Sequence, residues 1–318
     1  MGSIFTRRSA NRPRLVAGRS SPTFVGKRPG LQRPVAFIFP AAGAVLAIVA
    51  FPTAYAVFLS LTDNNLISPV QHFIGLGQYR AALDDPIFVR SVINTFALAT
   101  VALNLELLIG IGLAQLITSR IRTRSAWQAL LMVPLMVPPV LAGYQFKWIF
   151  NPDVGVVNDA LYSLTGSVHS INWLVDVPLG WVSILVAELW IGIPFVTIVL
   201  IAGMLSISPE YLQAAEVDGA NGWQRFRYVT LPLIGPFIWI AMALRSLDVG
   251  RLYDIVRIMT GGGPAHRTET LWTYIGQEAT FDGAIGYAAA MSVMVSALSV
   301  AFSLLIFVNL FRARAAKA

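Results

Sequence analysis

This sequence predicts an all-α integral membrane protein with six transmembrane helices, on three observations. Hydrophobic residues make up 56% of the 318 and charged residues only 12%, where soluble domains are closer to a quarter charged. The mean hydropathy is +0.67. Six stretches stay apolar over the roughly 20 residues that a helix needs to cross a bilayer core of about 30 Å. Length alone would suggest two soluble domains, but hydropathy overrides that prior.

The expected spans are residues 34–61, 92–118, 127–150, 181–205, 231–260 and 284–311. Prolines inside them, such as Pro52, Pro134, Pro138, Pro139 and Pro194, do not disqualify a span, because neighbouring helices satisfy the freed backbone groups. The first stretch is too long for a signal peptide and has no small-residue cleavage site after it. Residues 1–33, rich in Arg, Ser, Pro and Gly, read as a basic disordered tail. Residues 34–311 form the six-span domain, and 312–318 a second short basic tail.

Orientation follows from the loops. One set of flanks carries Arg7, Arg8, Arg12, Arg14, Arg19, Lys27, Arg28 and Arg33, then Arg120, Arg122 and Arg124, then Arg225 and Arg227, and finally Arg312, Arg314 and Lys317. The opposite set carries only Arg80, Arg90 and Arg267, and residues 151–180 have no Lys or Arg at all. The positive-inside rule therefore puts both termini in the cytoplasm, and an even number of spans agrees. The net charge of +7 is accounted for by membrane orientation, so nucleic acid is not an expected partner.

The absence of cysteine excludes disulfides, zinc-thiolate sites and cysteine nucleophiles. His72, His169 and His266 have no metal-ligand spacing. No Ser-His pair, paired-Asp motif or His cluster suggests catalysis inside the spans. A channel or secondary transporter stays open on composition alone.

The most informative segment is the expected cytoplasmic loop, residues 206–230. Ser208 is placed to cap a short helix, Pro209 suits its first position, and Glu210 meets the positive end of its dipole. Gly219 and Asn221-Gly222 end it in a turn, with Gly219 in the left-handed region. Small Ala214 and Ala215 leave a surface suited to docking in another protein's cleft.

This segment resembles the EAA loop of ATP-binding-cassette importer permeases. That pattern is Glu-Ala-Ala, three residues, Gly, nine residues, then Ile, any residue, Leu-Pro. Ala214, Ala215, Gly219, Leu231 and Pro232 match; Gln213 replaces the glutamate and Val229 the isoleucine. The resemblance implies that Gln213, Ala214, Ala215, Glu216, Asp218, Gly219, Leu231 and Pro232 couple the chain to an ATPase. It extends to Asn94-Thr95, Lys147-Trp148, the run from Asn151 to Asn158, Trp190 and Pro194. The stretch from Asp254 to Pro264 with Thr268-Glu269-Thr270-Leu271 is similar to the sugar-uptake branch related to the maltose transporter, in the place of its larger permease.

The resemblance implies several partners: a second permease in a heterodimer, two ATPase subunits, an extracytoplasmic sugar-binding protein and the bilayer of a bacterial inner membrane. The cargo would be a sugar, or a related polyol or glycerol phosphate; an amino acid or polyamine is the alternative. The chain itself is expected to be non-catalytic and to bind no cofactor. It has no phosphate-binding loop with a following lysine, so ATP and Mg belong to the partner subunits. Gly261-Gly262-Gly263 reads as a flexible turn.

The fifth span carries Arg245, Asp248, Arg251, Asp254 and Arg257 at three-residue steps. Two readings stand side by side: an internal ion-pair ladder that fixes the fifth span against its neighbours, and a polar wall of a transport path. Glu188 is a further buried charge expected to meet an arginine, while Glu106 and Lys147 read as structural. With Trp190 and Tyr253, these give a candidate substrate path of Glu188, Trp190, Arg245, Asp248, Arg251, Tyr253 and Asp254. An aromatic inside a span more often packs than binds.

Overall fold

The computed structural model of the protein describes residues 32–68, 71–120, 124–166 and 170–299. Both basic tails lie outside these, apart from Gln32 and Arg33, as do Arg122, His169 and the C-terminal part of the sixth expected span. Among the described residues the chain is helical, and a single antiparallel bridge, Thr62 with Phe73, is its one extended pairing.

Among the described residues three helices are long and apolar enough to cross a membrane: α1 (Gln32–Ser60), α3 (Pro86–Arg120) and α7 (Val177–Leu205). A short α2 (Gly77–Asp84) precedes α3. The chain divides at Pro52 into two units: the first includes the N-terminal part of α1, and the second all that follows.

Two expected spans are not single helices. The third is α4 (Arg124–Leu135) and α5 (Pro139–Ile149), bent by 91°. Pro138 and Pro139 explain the break: neither donates a backbone hydrogen bond, and proline bars its predecessor from helical geometry. The fifth is α10 (Leu231–Leu233), α11 (Gly235–Val249) and α12 (Asp254–Met259). The segment from Gly222 to Leu233 meets α11 at 62°, next to Pro236. Between α5 and α7 lies α6 (Val156–Thr165), a short helix that the hydropathy pattern does not announce. After α12 come α13 (Leu271–Thr280) and the apolar α14 (Ile285–Ser299).

Three apolar clusters hold the second unit together. One packs Leu98 and Ala102 of α3 against Phe146 of α5, Ile184 and Ala187 of α7, Val249 of α11 and Val256 of α12. Another packs Ala114 and Ile117 of α3 against Val196 and Leu200 of α7 and Ala241 of α11. The third joins Phe88 of α3 to Tyr274 and Ile275 of α13 and Met291 of α14. Helices α3 and α7 thus form the central pair, and the first two clusters leave a gap between them that polar residues fill.

Candidate functional site

Residues 206–230 form a helix, a turn and a second helix. Helix α8 (Pro209–Val217) starts with Pro209 in its first turn and Glu210 beside the dipole. Ser208 has extended backbone at the cap position, but its side chain makes no capping bond, so the expected cap is absent. Gly219 has φ of +82°, a conformation that side chains penalise. The Ala220 N–H donates to Ala215 O at 2.9 Å and the Gly219 N–H to Glu216 O at 3.0 Å, closing the C-terminus.

Asn221 has a different role from the turn-former expected of it. It caps α9 (Gly222–Arg225): its Oδ1 accepts from the Gln224 N–H at 2.9 Å, and Gln224 Oε1 accepts from the Asn221 N–H at 2.8 Å. This reciprocal box was legible as Asn-x-x-Gln. Arg225 pairs with Glu216 at 3.1 Å, bracing α9 against α8. A π-turn, Phe226–Thr230, follows, in which the Leu231 N–H bonds Phe226 O five residues back. Pro232, which lacks an N–H, sits directly after it. Gln213, Ala214 and Asp218 are exposed, and so are Tyr211, Val217, Trp223 and Tyr228. An exposed apolar set on a braced segment marks an interaction surface.

The second group of residues lies in the gap between the two apolar clusters. Glu106 of α3 is 0% exposed, Glu188 of α7 5% and Arg245 of α11 4%. Arg245 Nε donates to Glu106 Oε2 at 2.9 Å and Nη2 to Glu106 Oε1 at 2.7 Å. Nη2 also donates to Glu188 Oε1 at 2.5 Å. The planar guanidinium fits a carboxylate with two parallel bonds, and here it holds a second one. Gly192 makes room: a Cβ there would fall onto the Glu106 carboxylate and the Arg245 guanidinium. Arg245 Nη1 lies 3.6 Å from Asp248 Oδ2, whose side chain is 68% exposed.

Of the ladder only the Arg245–Asp248 step is present, while Arg245 does fix the fifth span against its neighbours. Arg245 bonds across helices, and among the described residues neither Arg251 nor Asp254 makes an ion pair. The physical reason is that α11 ends at Val249 and α12 begins at Asp254, so the three-residue steps do not stay on one helix. Arg251 is exposed and Asp254 half-buried. Arg257 lies over the Phe281 ring, 4.6 Å from its centroid. Trp190 packs edge-on to Phe146 at 5.6 Å, and Tyr253 places its ring against Gly276. Trp148 is exposed.

The third group joins sequence segments about which only the resemblance spoke. Asn94 Nδ2 donates to Glu269 O at 2.9 Å and Arg267 O at 3.2 Å, and the Leu271 N–H donates to Thr95 Oγ1 at 2.8 Å. The glycine run is fastened rather than flexible. Thr268 Oγ1 donates to Gly263 O at 2.6 Å and lies 2.9 Å from Thr260 Oγ1. Gly262, at φ +82°, has no Cβ to collide with the buried Glu269 carboxylate, which faces His266 at 3.0 Å. Nearby, Asp85 Oδ2 accepts from Tyr274 at 2.5 Å and Tyr287 at 2.8 Å. Partial burial opposes ionisation of Asp85, but these hydroxyls and the Ile87 N–H outweigh it and hold the carboxyl below its usual range. Burial pushes Glu278 up, and Asp282 and Asp85 add to this against a hydrogen bond from Tyr274. No cluster of metal-ligating side chains occurs among the described residues.

An apolar bundle with broken helices and a braced exposed loop fits a membrane transport subunit. The sequence pattern of the binding-protein-dependent transport system inner membrane component matches residues 106–315, and the chain belongs to that family. It is 34% identical to the sulfoquinovosyl glycerol transport system permease protein SmoG of Agrobacterium fabrum, over 83% of this chain and 86% of that one. It is 32% identical to the trehalose transport system permease protein SugA of Mycobacterium tuberculosis, over 89% and 91%. A solved bacterial transporter that imports the acidic polysaccharide alginate contains a chain of the same fold, with a TM-score of 0.74 at 22% identity, covering 89% of this chain and 95% of that one.

Proposed function

We propose that the chain is one of two permease subunits of an ATP-driven sugar importer of a bacterial inner membrane. Its six spans would leave both termini in the cytoplasm. The observation that carries the sugar assignment is the likeness, over more than four-fifths of each chain, to permeases named for sulfoquinovosyl glycerol and for trehalose. A sugar-binding protein delivers the cargo from outside, and a second permease completes the path. Two ATPase subunits hydrolyse ATP with Mg.

The segment 206–230 is the coupling element. Its exposed face, with Gln213, Ala214, Tyr211 and Trp223, seats in an ATPase cleft; Gly219, Glu216 and the Asn221 box hold its shape, and Leu231-Pro232 hands its motion to α11. Asp218 and Ala215 complete the contact. Asp248 and Arg251, exposed within the fifth span, belong to the wall of the path. An exposed carboxylate or guanidinium at that depth is costly against acyl chains, and a water-filled path removes the cost. Glu188, Arg245, Trp190, Tyr253 and Asp254 support that wall from behind.

The test is reconstitution of the complete transporter with its binding protein. ATP hydrolysis should rise when the binding protein is loaded from a saccharide panel and stay basal with amino acids or polyamines. Stimulation by an amino acid alone would overturn the sugar assignment.

A further inference from the structure

We infer that Glu106, Glu188 and Arg245 form a three-helix clamp that sets the rotational position of α11, so that Asp248 faces the path while Leu244 and Leu247 face away from it. Arg245 is a positioning residue here: its polar atoms bond protein carboxylates, and it is buried. The inference rests on the reading of Asp248 as part of the path wall.

Four observations carry it. First, the clamp joins three helices that are far apart in sequence, and its fork geometry fixes direction as well as distance. Glu106 takes two parallel bonds from Arg245, and Glu188 takes a third from the same nitrogen. Second, space is reserved for it. Gly192 stands where any side chain would displace both the Glu106 carboxylate and the guanidinium. Third, the buried apolar residues of α11 one turn either side of Arg245 are the small or smooth Ala241 and Val249. They fix the rotation of the helix at this level less tightly than a bidentate ion pair does. Fourth, Arg245 reaches one turn along its own helix to Asp248, at 3.6 Å, and Asp248 is the exposed end of the arrangement. Leu244 and Leu247 are about half exposed as well, and an unclamped α11 could present either of them to the path instead. Buried ion pairs are weak contributors to stability but can specify one arrangement among several.

The absence of cysteine from the chain allows a direct test. Single cysteines replace Leu244, Leu247 or Asp248 in the assembled transporter, in open membrane fragments. Labelling of this chain by trimethylammonioethyl methanethiosulfonate, which carries a permanent charge, is then timed. Position 248 should react at least about tenfold faster than 244 and 247, because a charged reagent enters water but not acyl chains. Adding Glu106→Gln or Gly192→Ala should bring the three rates within about threefold of one another at equal amounts of assembled complex, because the fork that fixes one face is lost. Where either variant fails to assemble, the triple substitution Glu106→Met, Glu188→Met and Arg245→Met leaves no buried charge unpaired. It should assemble and show the same loss of contrast. A contrast that survives in these variants overturns the clamp and leaves the path reading standing. An unreactive position 248 in the otherwise unaltered chain overturns the path reading, and the inference with it.

Discussion

Asp85 shows how a single side chain can order the region around it. It precedes α3, yet it receives hydroxyl bonds from α13 and α14, so it ties three elements through one carboxylate. Its pKa is lowered on folding, so its stabilising contribution is present above the unfolded value near 3.9 and is lost as pH falls through the folded value. Asp85→Asn should lower the thermal stability of the purified complex at pH 7 by about 1–2 kcal/mol, the range for one or two charge-assisted bonds at a partly exposed site. The gap between mutant and parent should narrow as pH falls below the unfolded value. Melting curves across pH check this, and a constant gap down to pH 3 would refute it. Gly262→Ala makes a second residue-scale test. The new methyl would meet the Glu269 carboxylate at a positive φ, and the expected loss is about 2 kcal/mol or more, from strain plus a displaced buried charge. A melting point within a degree of the parent's would show that the loop yields. At this scale the sequence was partly legible. Glu188 read as a partner for an arginine, and it meets one. That Glu106 supplies the other half of the fork was hidden, because its partner lies 139 residues away and only helix packing brings them together.

The loop from Ser206 to Thr230 is the element on which the proposed coupling turns. Its helix, left-handed glycine and second helix follow from local residues, and most of that was readable: Pro209, Glu210 and Gly219 each act where their chemistry says they should. The π-turn was not readable, since it depends on how the chain rejoins α11 beside Pro232. Helix α6 was missed for a different reason. It is short and polar enough to pass for loop, and it is held by Asn158, which accepts from Trp173 Nε1 at 2.8 Å and donates to Pro152 O and Ile171 O. The breaks in the third and fifth spans have visible prolines beside them, but hydropathy averages over such breaks. Two element-scale predictions follow from the loop. Gly219→Val should leave membrane insertion intact but abolish most sugar uptake, because a β-branched residue resists φ of +82°. Uptake at the parental rate with equal expression would show that the turn is not needed for coupling. Asn221→Ala removes one side of the capping box and should cost about 1 kcal/mol locally. The expected effect is a modest fall in stimulated ATP hydrolysis, with Asn221→Asp close to the parent.

At the scale of the whole molecule the question is which ends of the helices share a side of the membrane. The segments around Asn64–Leu66 and Gly283–Gly286 are knit together by bonds that no helix interior provides. Asn64 O accepts from the Gly286 N–H at 2.9 Å, Gly283 O accepts from the Leu66 N–H at 2.9 Å, and Asp85 reaches Tyr274 and Tyr287. Asn94 and Thr95, at the start of α3, hold the 267–271 strip, and Gly180, at the start of α7, lies against Thr268. The charge distribution separates the same groups: Arg225 and Arg227 sit in the loop beyond the far end of α7, whereas residues 151–180 carry no Lys or Arg. Segments that share a layer of hydrogen bonds must lie on one side, so the charge rule and the contacts constrain each other. A reporter enzyme that folds only outside the cytoplasm should therefore be active when fused after Asp159 or His266, and silent when fused after Arg124 or Arg227. Activity after Arg227 together with silence after His266 would invert the molecule. The braced loop 206–230 would then face away from any cytoplasmic ATPase, and the coupling role proposed for Gln213 to Gly219 would fall, while the buried clamp and the family membership would stand.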